Sequence, residues 1–157
     1  YGLHTVSAMP CNLYGRNDHF DLERCHVLPA LIRRFCDAVA EGRQEVVCWG
    51  TGTPLREFLN VDDMASAVYF LFMNHDDPQI VNVGSSEEIS IRELAELVAR
   101  LAGFQGRILW DRTKPDGMKR KLMDSSKIRS LGWKPVISLE DGIAAQIEEY
   151  RSRVSGR

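Results

Sequence analysis

The sequence predicts an α/β protein in which short, mostly parallel strands alternate with helices. Short β-compatible runs alternate with longer segments whose apolar residues recur at helical spacing, and Gly and Pro separate the two kinds of segment. The 157-residue chain is 44% hydrophobic and 27% charged, as globular domains are. A chain of this length buries about two-thirds of the surface that its unfolded form exposes, so we expect one domain with a hydrophobic core, or else two very small domains.

The first half of the chain is predicted to begin with a strand, a helix and two further strands. Thr5–Met9 is apolar and β-compatible, and Pro10 is expected to end that strand. A helix that ends at Gly42 follows, because five apolar residues recur at helical spacing, namely Leu28, Leu31, Ile32, Phe35 and Val39. Val46–Trp49 and Glu57–Asn60 are predicted strands on either side of a turn rich in Gly and Pro.

The next helix is predicted from its first turn. Asn60 can cap a helix that runs to about Asn74, and Asp62 and Asp63 lie where the helix dipole favours carboxylates. A short buried strand is expected to follow over Ile80–Val83.

The clearest local signal in the chain is a capping box. Ser90 and Glu93 have the spacing of that motif, and Gly103 is placed to end the helix that they begin. The remaining predicted elements are a strand over Arg107–Trp110, a short helix around Ser125–Leu131 and a last helix after Ser138.

Charge and composition exclude several classes of protein. The 20 basic and 22 acidic residues give a net charge of -2, whereas a nucleic-acid-binding protein has a basic excess, so no nucleic-acid partner is expected. The longest nearly uncharged apolar stretch, Met64–Met73, is about half of a membrane span. The four cysteines lack the C-x-x-C spacing of zinc sites, and no signal peptide is visible. We therefore expect reduced thiols, no metal, no membrane partner and a cytoplasmic location.

The usual signature of a complete dinucleotide site is absent from these residues. The segment Trp49-Gly50-Thr51-Gly52-Thr53-Pro54 has two glycines but no third, and its proline lies where a helix would have to develop. No tyrosine is followed four residues later by a lysine. The Gly/Pro segment is therefore predicted to be a turn or loop.

Charged residues around the first helix are candidates for function. His26 lies just before that helix and can act as a general acid or donate to a ligand oxygen, or it can simply be tied to the backbone at a helix start. Either Arg33 or Arg34 can clamp a phosphate through its guanidinium, or both can belong to a solvated helix face.

Two further candidates lie on loops. Trp49 and Arg56 bracket the Gly/Pro loop and can stack on a base or sugar and hold a phosphate, or they can be a core tryptophan and a surface arginine. Residues 105–121 carry a local excess of four positive charges, which suits a ligand with a diphosphate, or they form a solvated loop.

Taken in order, these segments resemble the C-terminal half of the GDP-L-fucose synthase family of extended short-chain dehydrogenases/reductases. The segments Asn12-Leu13-Tyr14-Gly15 and Val61-Asp62-Asp63 are shared by many nucleotide-sugar epimerases and dehydratases. More specific to this family are two longer segments, His26-Val27-Leu28-Pro29-Ala30-Leu31-Ile32-Arg33-Arg34-Phe35 and Trp49-Gly50-Thr51-Gly52-Thr53-Pro54-Leu55-Arg56-Glu57-Phe58. The resemblance implies that residues 1–157 form a substrate-binding portion with the last strands of a Rossmann sheet.

The resemblance also implies roles for individual residues. His26 matches a histidine that contacts the cofactor, NADP(H), and serves as an acid in the epimerisation. The segment Pro10-Cys11-Asn12-Leu13 matches a strand end that lines the nicotinamide side of the same cofactor. The residues matching positions that hold the GDP-sugar substrate or close a loop over its nucleotide are Arg34, Trp49, Arg56, Asp116, Arg107 and Lys121. The implied reaction is the NADPH-dependent 3,5-epimerisation and 4-reduction of GDP-4-keto-6-deoxy-D-mannose.

The resemblance places the remaining machinery outside this sequence. The Gly-rich cofactor loop, the Ser-Tyr-Lys group and the catalytic cysteine belong to an N-terminal, NADP-binding Rossmann portion, which we expect to be absent here. The chain alone is therefore expected to be inactive, and the full-length enzyme to be a homodimer. Two alternatives are a non-catalytic nucleotide-sugar-binding module and a related epimerase or dehydratase that acts on another nucleotide sugar.

Overall fold

The computed structural model describes residues 4–156, and its elements alternate as the sequence predicts. In chain order they are β1 (Ala8–Pro10), β2 (Asn12–Tyr14), α1 (Val27–Ala40), β3 (Glu45–Trp49), β4 (Leu55–Asn60), α2 (Val61–Asn74), β5 (Val81–Val83), β6 (Glu88–Ser90), α3 (Ile91–Ala102), β7 (Arg107–Asp111), β8 (Arg120–Lys121), α4 (Ser126–Ser130) and α5 (Leu139–Ser155).

The strands form three small sheets in which parallel pairs dominate. β1 pairs with β5, and β3 pairs with β7, both in parallel. β4 is the centre of the third sheet, with β2 and β8 parallel to it and β6 antiparallel. The predicted α/β class is therefore confirmed, whereas the short strands β2, β6 and β8 were not predicted, because two or three residues carry no periodic signal.

The helix boundaries follow the predicted capping signals. The side chain of Asn60 accepts from the backbone N–H of Asp62 at 2.9 Å, which starts α2. Both halves of the Ser90–Glu93 capping box are present at the start of α3, and Gly103 ends that helix in the left-handed conformation. These contacts act within a single turn, which is why the sequence alone predicts them.

Pro10 ends the first strand, as the sequence predicts, although that strand begins at Ala8 rather than at Thr5. Pro10 is the last residue of β1 and pairs with Val83, and the N–H of Cys11 then donates to the Val83 carbonyl at 3.0 Å. Within residues 4–156, β1 has a partner on one side only, and a strand edge tolerates the missing N–H of a proline. The chain then shifts to a second sheet as β2.

Two hydrophobic cores divide the structure. In the first, called here the closed core, α1, α3 and α5 pack on one another, and α1 also packs on β3. Its largest buried side chains include Phe35, Leu28, Ile32, Leu94, Ile143 and Ile147. The second core is smaller and lies between β1, β5, α2 and α4, with Leu59, Leu71, Val81, Val83, Ile128 and Trp133 among its members.

The outer side of α2 carries apolar side chains that the described residues do not cover. Helical spacing puts Val68, Tyr69, Phe72 and Met73 on the side opposite the buried Ala67 and Leu71, and we call these four side chains the open face. Phe72 is 78% exposed and Tyr69 is 68% exposed. An apolar group of this kind is typical of an interaction surface.

Candidate functional site

A cleft of about 700 Å³ lies where the end of β1 meets the start of α1. One wall is the strand-end segment Pro10–Leu13, and the other is the first turn of α1 with His26. Arg56 of β4 also lines the cleft. The structure therefore brings together five residues that the sequence assigned to one cofactor site and one residue assigned to the substrate.

His26 lies at the mouth of this cleft as the residue before α1. Its backbone is extended, with φ −71° and ψ 170°, and its side chain makes no capping hydrogen bond. The ring is exposed and makes no hydrogen bond to the rest of residues 4–156. An imidazole placed in this way is free to meet a ligand in the cleft, and the alternative that it is tied to the backbone is not observed.

A buried carboxylate, which sequence reasoning missed, lies in β4 between the cleft residues Arg56 and Phe58. Glu57 is fully buried and accepts from the backbone N–H groups of Ser86 at 2.6 Å and Met123 at 3.1 Å. The Asn12 side chain donates to the Glu57 carbonyl at 2.7 Å. A charged residue beside the apolar pair Phe58 and Leu59 in a central strand was the available signal.

Cys11 lines the cleft but is poorly suited to nucleophilic chemistry. Burial, together with the Glu57 carboxylate, raises the pKa of the Cys11 thiol to about 12. The thiolate is the reactive form of cysteine, so this residue stays a neutral thiol near pH 7. Its contribution is therefore to the shape of the cleft.

Arg56 connects the cleft to the loop between β7 and β8. Its Nη1 donates to the carbonyl oxygens of Leu55 and Met118, both at 2.7 Å. No carboxylate within residues 4–156 forms an ion pair with Arg56, so its charge is not neutralised by another side chain. Guanidinium groups with this arrangement can bind phosphate oxygens.

Trp49 is a surface residue rather than a core residue. It ends β3 and is 62% exposed. The Arg34 guanidinium lies 5.5 Å from the ring centroid, and the Lys114 ammonium lies 5.6 Å from it. Cations at this distance are attracted by the face of an indole ring.

The structure distinguishes the two adjacent arginines of α1. Arg33 donates to the Phe20 carbonyl at 2.9 Å and also lies 3.5 Å from an Asp37 oxygen. Arg34 donates instead to the carbonyl of Val47 in β3, which directs it towards Trp49. Arg34 is therefore the member of the pair that reaches the candidate site.

Asp116 is bonded to the Gly/Pro loop. Its two carboxylate oxygens accept from the Thr51 backbone N–H at 2.8 Å and from the Thr51 hydroxyl at 2.7 Å. These bonds lower the pKa of the Asp116 carboxyl. The acidic loop residue is thus engaged with protein atoms close to Trp49.

The other two residues of the basic segment have different positions. Lys121 lies in β8, where it is the register partner of Arg56, and it is exposed. Arg107 starts β7 and forms an ion pair with Glu45, whereas Trp49 pairs with Asp111 at the other end of the same ladder. The two ends are four residue steps apart along the strand, which is roughly 13 Å. The expectation that Arg107 joins the ligand loop is therefore not supported by its place in the sheet.

Several unpaired cations converge near Trp49 and the cleft. Within residues 4–156, no salt bridge involves the charged side chains of Arg34, Arg56, Lys114 and Lys121. A group of uncompensated cations beside an exposed indole ring can bind a ligand that combines an aromatic ring with a di- or monophosphate.

The remaining features of the described residues concern the cysteines, possible metal ligands and membrane-spanning helices. All four cysteines are free, and no group of three or more potential ligands among residues 4–156 is arranged to hold a metal ion. None of the helices within those residues has the length and apolar character that a membrane crossing requires.

Comparison with known proteins identifies the family of this chain. Residues 1–84 match the model of the NAD dependent epimerase/dehydratase family. The whole chain is 55% identical to GDP-L-fucose synthase 1 of Arabidopsis thaliana, and 96% of it is 45% identical to the GDP-L-fucose synthase of Escherichia coli strain K12. The chain spans about half the length of these relatives, 49% and 50% respectively.

A solved structure gives the same result for the fold. The structure of a GDP-L-fucose synthetase from Naegleria fowleri bound to NADP superposes with a TM-score of 0.89 at 28% sequence identity. The match covers 96% of this chain and 47% of that one.

Proposed function

Because the chain belongs to the NAD dependent epimerase/dehydratase family, we propose that it is the substrate-binding portion of a GDP-L-fucose synthase. The activity in which it takes part is the NADPH-dependent 3,5-epimerisation and 4-reduction of GDP-4-keto-6-deoxy-D-mannose. The observation that carries this proposal is the position of Arg56, which lines the cleft beside His26 and is bonded to the loop that reaches Trp49. Arg56 thus connects the Trp49 surface to the cleft that contains His26.

The nucleotide part of the substrate is assigned to the Trp49 surface. The indole ring is exposed and can stack on the guanine or ribose. Arg34, Lys114 and Arg56 supply positive charge for the diphosphate, and Lys121 extends this field towards the cleft. The sugar then lies in the cleft itself, next to His26.

His26 is assigned the role of an acid in the epimerisation. The C4 ketone of the substrate makes the hydrogens on C3 and C5 acidic, so a base can remove each as a proton. An imidazolium then returns a proton to the opposite face of the same carbon, which inverts it. The exposed, unbonded ring of His26 has the freedom that this role requires.

The cofactor is assigned to the strand-end wall of the cleft. Pro10, Cys11, Asn12 and Leu13 with His26 offer one wall for a nicotinamide, but the chain has no Gly-rich loop for the cofactor diphosphate. These residues therefore fit one end of NADP(H). When bound, NADPH supplies the hydride that reduces the C4 ketone.

The open face is assigned to the nucleotide-binding half that the relatives carry in addition. Within residues 4–156, β1 and β5 form a sheet of only two strands, which is marginally stable by itself. A Rossmann unit can extend this sheet and cover Tyr69 and Phe72 on α2. The four free thiols fit a cytoplasmic location for such an enzyme.

Calorimetric titration of the 157-residue chain with GDP, UDP and dTDP tests the substrate assignment. We expect GDP to bind most tightly and Arg56→Ala to weaken GDP binding about 10- to 150-fold, because a charge-assisted hydrogen bond contributes about 1.5–3 kcal/mol. Arg107→Ala is the matched control and should leave the GDP affinity unchanged, since Arg107 lies at the far end of β7. A preference for UDP or dTDP, or an equal loss in both variants, would contradict the assignment.

A second measurement separates the enzyme from a binding module. The chain alone should bind GDP without oxidising NADPH in the presence of GDP-4-keto-6-deoxymannose, because the other half of the machinery is missing. Turnover by the isolated chain would contradict the proposal that these residues form only the substrate-binding portion of the enzyme. Joining the 157-residue chain to the nucleotide-binding half of a relative should restore turnover. If the joined protein binds GDP but does not turn over the substrate, the result favours a non-catalytic nucleotide-sugar-binding module.

A further inference from the structure

The segment 112–119, between β7 and β8, is exposed along its whole length yet carries a cation that reaches Trp49. Its first residues are held by the turn at Asp111, whose carboxylate accepts from the N–H and hydroxyl of Thr113. Its last residues are held through Met118 and Lys119, whose carbonyls bond to Arg56 and to the Leu55 N–H. The tip between these two attachments requires a separate explanation.

The attachment of the tip is the pair formed by Asp116 and Thr51. For residues 115–117, the hydrogen bonds to other parts of the described chain are the two that Asp116 accepts from Thr51. We propose that Asp116 and Thr51 form a latch that positions the tip, and with it Lys114, over Trp49. Both are thus positioning residues for the ligand site, and the part of this proposal that concerns ligand affinity rests on the proposed function.

The Thr51 side of the latch is fixed to the closed core. Its carbonyl accepts from the Arg92 guanidinium at 2.7 Å, and the Arg92 N–H donates to the Gly52 carbonyl at 2.9 Å. The same guanidinium lies 4.6 Å from the ring centroid of Trp110. Because Arg92 belongs to the first turn of α3, the Gly/Pro loop is a fixed support rather than a second unattached segment.

Gly50 permits the close approach of the two loops. Its φ of +80° is unfavourable for residues with a side chain, and a Cβ there would lie 2.3 Å from an Asp116 carboxylate oxygen. The contact with Asp116 thus needs a glycine at this position. The Gly50 N–H donates to the Asp111 carbonyl at 2.9 Å, so the same loop also meets the base of the segment.

The positive charge of segment 112–119 explains why it needs an attachment. The segment carries Arg112, Lys114 and Lys119, and the unpaired Arg34 and Arg56 lie beside it. Like charges brought together repel one another, so a segment with this composition requires an attachment that keeps it against the support. The hydroxyl and N–H of Thr51 hold the Asp116 carboxylate charged, which lowers its pKa, so the attachment is lost only as acid protonates it.

Limited proteolysis tests the latch without any ligand. Trypsin can cleave after Arg112 and Lys119, whereas Lys114 is followed by Pro115, which blocks cleavage there. We expect Asp116→Ala and Thr51→Val to increase the cleavage rate about tenfold, with little change in the unfolding midpoint. Thr51→Ser keeps the hydroxyl and should restore the rate of the unchanged chain. Cleavage of Asp116→Ala at that same rate would overturn the latch.

Calorimetry with GDP tests the positioning role. Asp116→Ala and Thr51→Val should each weaken GDP binding about fivefold or more, and Thr51→Ser should not. Faster cleavage with an unchanged GDP affinity would overturn the positioning role. If the unchanged chain does not bind GDP, the proposed function fails, and the proteolysis result still decides whether the latch exists.

Discussion

Apolar side chains are buried in the closed core and exposed on the open face. Phe35 in α1 is completely buried, and its ring centroid lies 5.4 Å from the ring centroid of Phe104. Phe72 in α2 is 78% exposed. Both lie on 14-residue helices of similar apolar content. The difference is that α1 has partners in α3, α5 and β3 within this chain, and the outer side of α2 has none among residues 4–156. Among residues 4–156, the first region is covered by its neighbours, and the second is left exposed.

The largest effect is expected from Phe35→Ala in the closed core. Removing a buried aromatic ring loses its transfer free energy and leaves a cavity, so the free energy of unfolding should fall by about 3–5 kcal/mol. Urea denaturation followed by circular dichroism measures this loss. A loss below about 1 kcal/mol would mean that the closed core is not the main source of stability.

A smaller effect is expected from Ser90→Ala, which removes one half of the capping box of α3. The Ser90 hydroxyl accepts from the Glu93 N–H at 3.1 Å, and loss of such a cap costs about 1 kcal/mol. Ser90→Thr retains the hydroxyl and should be nearly neutral in the same urea titration. An effect as large as that of Phe35→Ala would indicate that α3 unfolds as a unit without its cap.

The smallest effect on stability is expected from Phe72→Ala, the same chemical change on the open face. An exposed side chain has little burial to lose, so the free energy of unfolding should change by less than about 0.5 kcal/mol. Self-association in sedimentation velocity should decrease, as should binding of a hydrophobic dye. If Phe72→Ala destabilises the chain as strongly as Phe35→Ala, the open face is buried in solution, and the comparison between the two regions fails.

The sequence predicted the regular elements better than the site. The caps at Asn60 and Ser90 were found because each acts over two or three residues. Which of the two adjacent arginines reaches Trp49, by contrast, depends on how α1 packs beside β3. The organising role of Glu57 was missed because its partners lie 29 and 66 residues away.

The family resemblance supplied candidate site residues that local sequence patterns did not, and the structure then showed where each of them lies. The resemblance implied one loop for Asp116, Arg107 and Lys121, but the structure places Arg107 at the end of β7 opposite Trp49. Asp116 bonds to Thr51, Lys121 lies beside Arg56, and Arg107 is ion-paired with Glu45 at the far end of β7. Proximity along the chain therefore did not translate into proximity in space.

The sequence alone determined the α/β class and the helix boundaries, since periodicity and capping act within one or two turns, and it named candidate site residues. Only the tertiary structure decided which of these residues meet. The bonds that join Arg56 to Met118 and Thr51 to Asp116 span 62 and 65 residues. Pairings over such separations depend on the packing of whole sheets and helices, which no local pattern specifies. The same packing leaves Phe72 exposed while it buries Phe35.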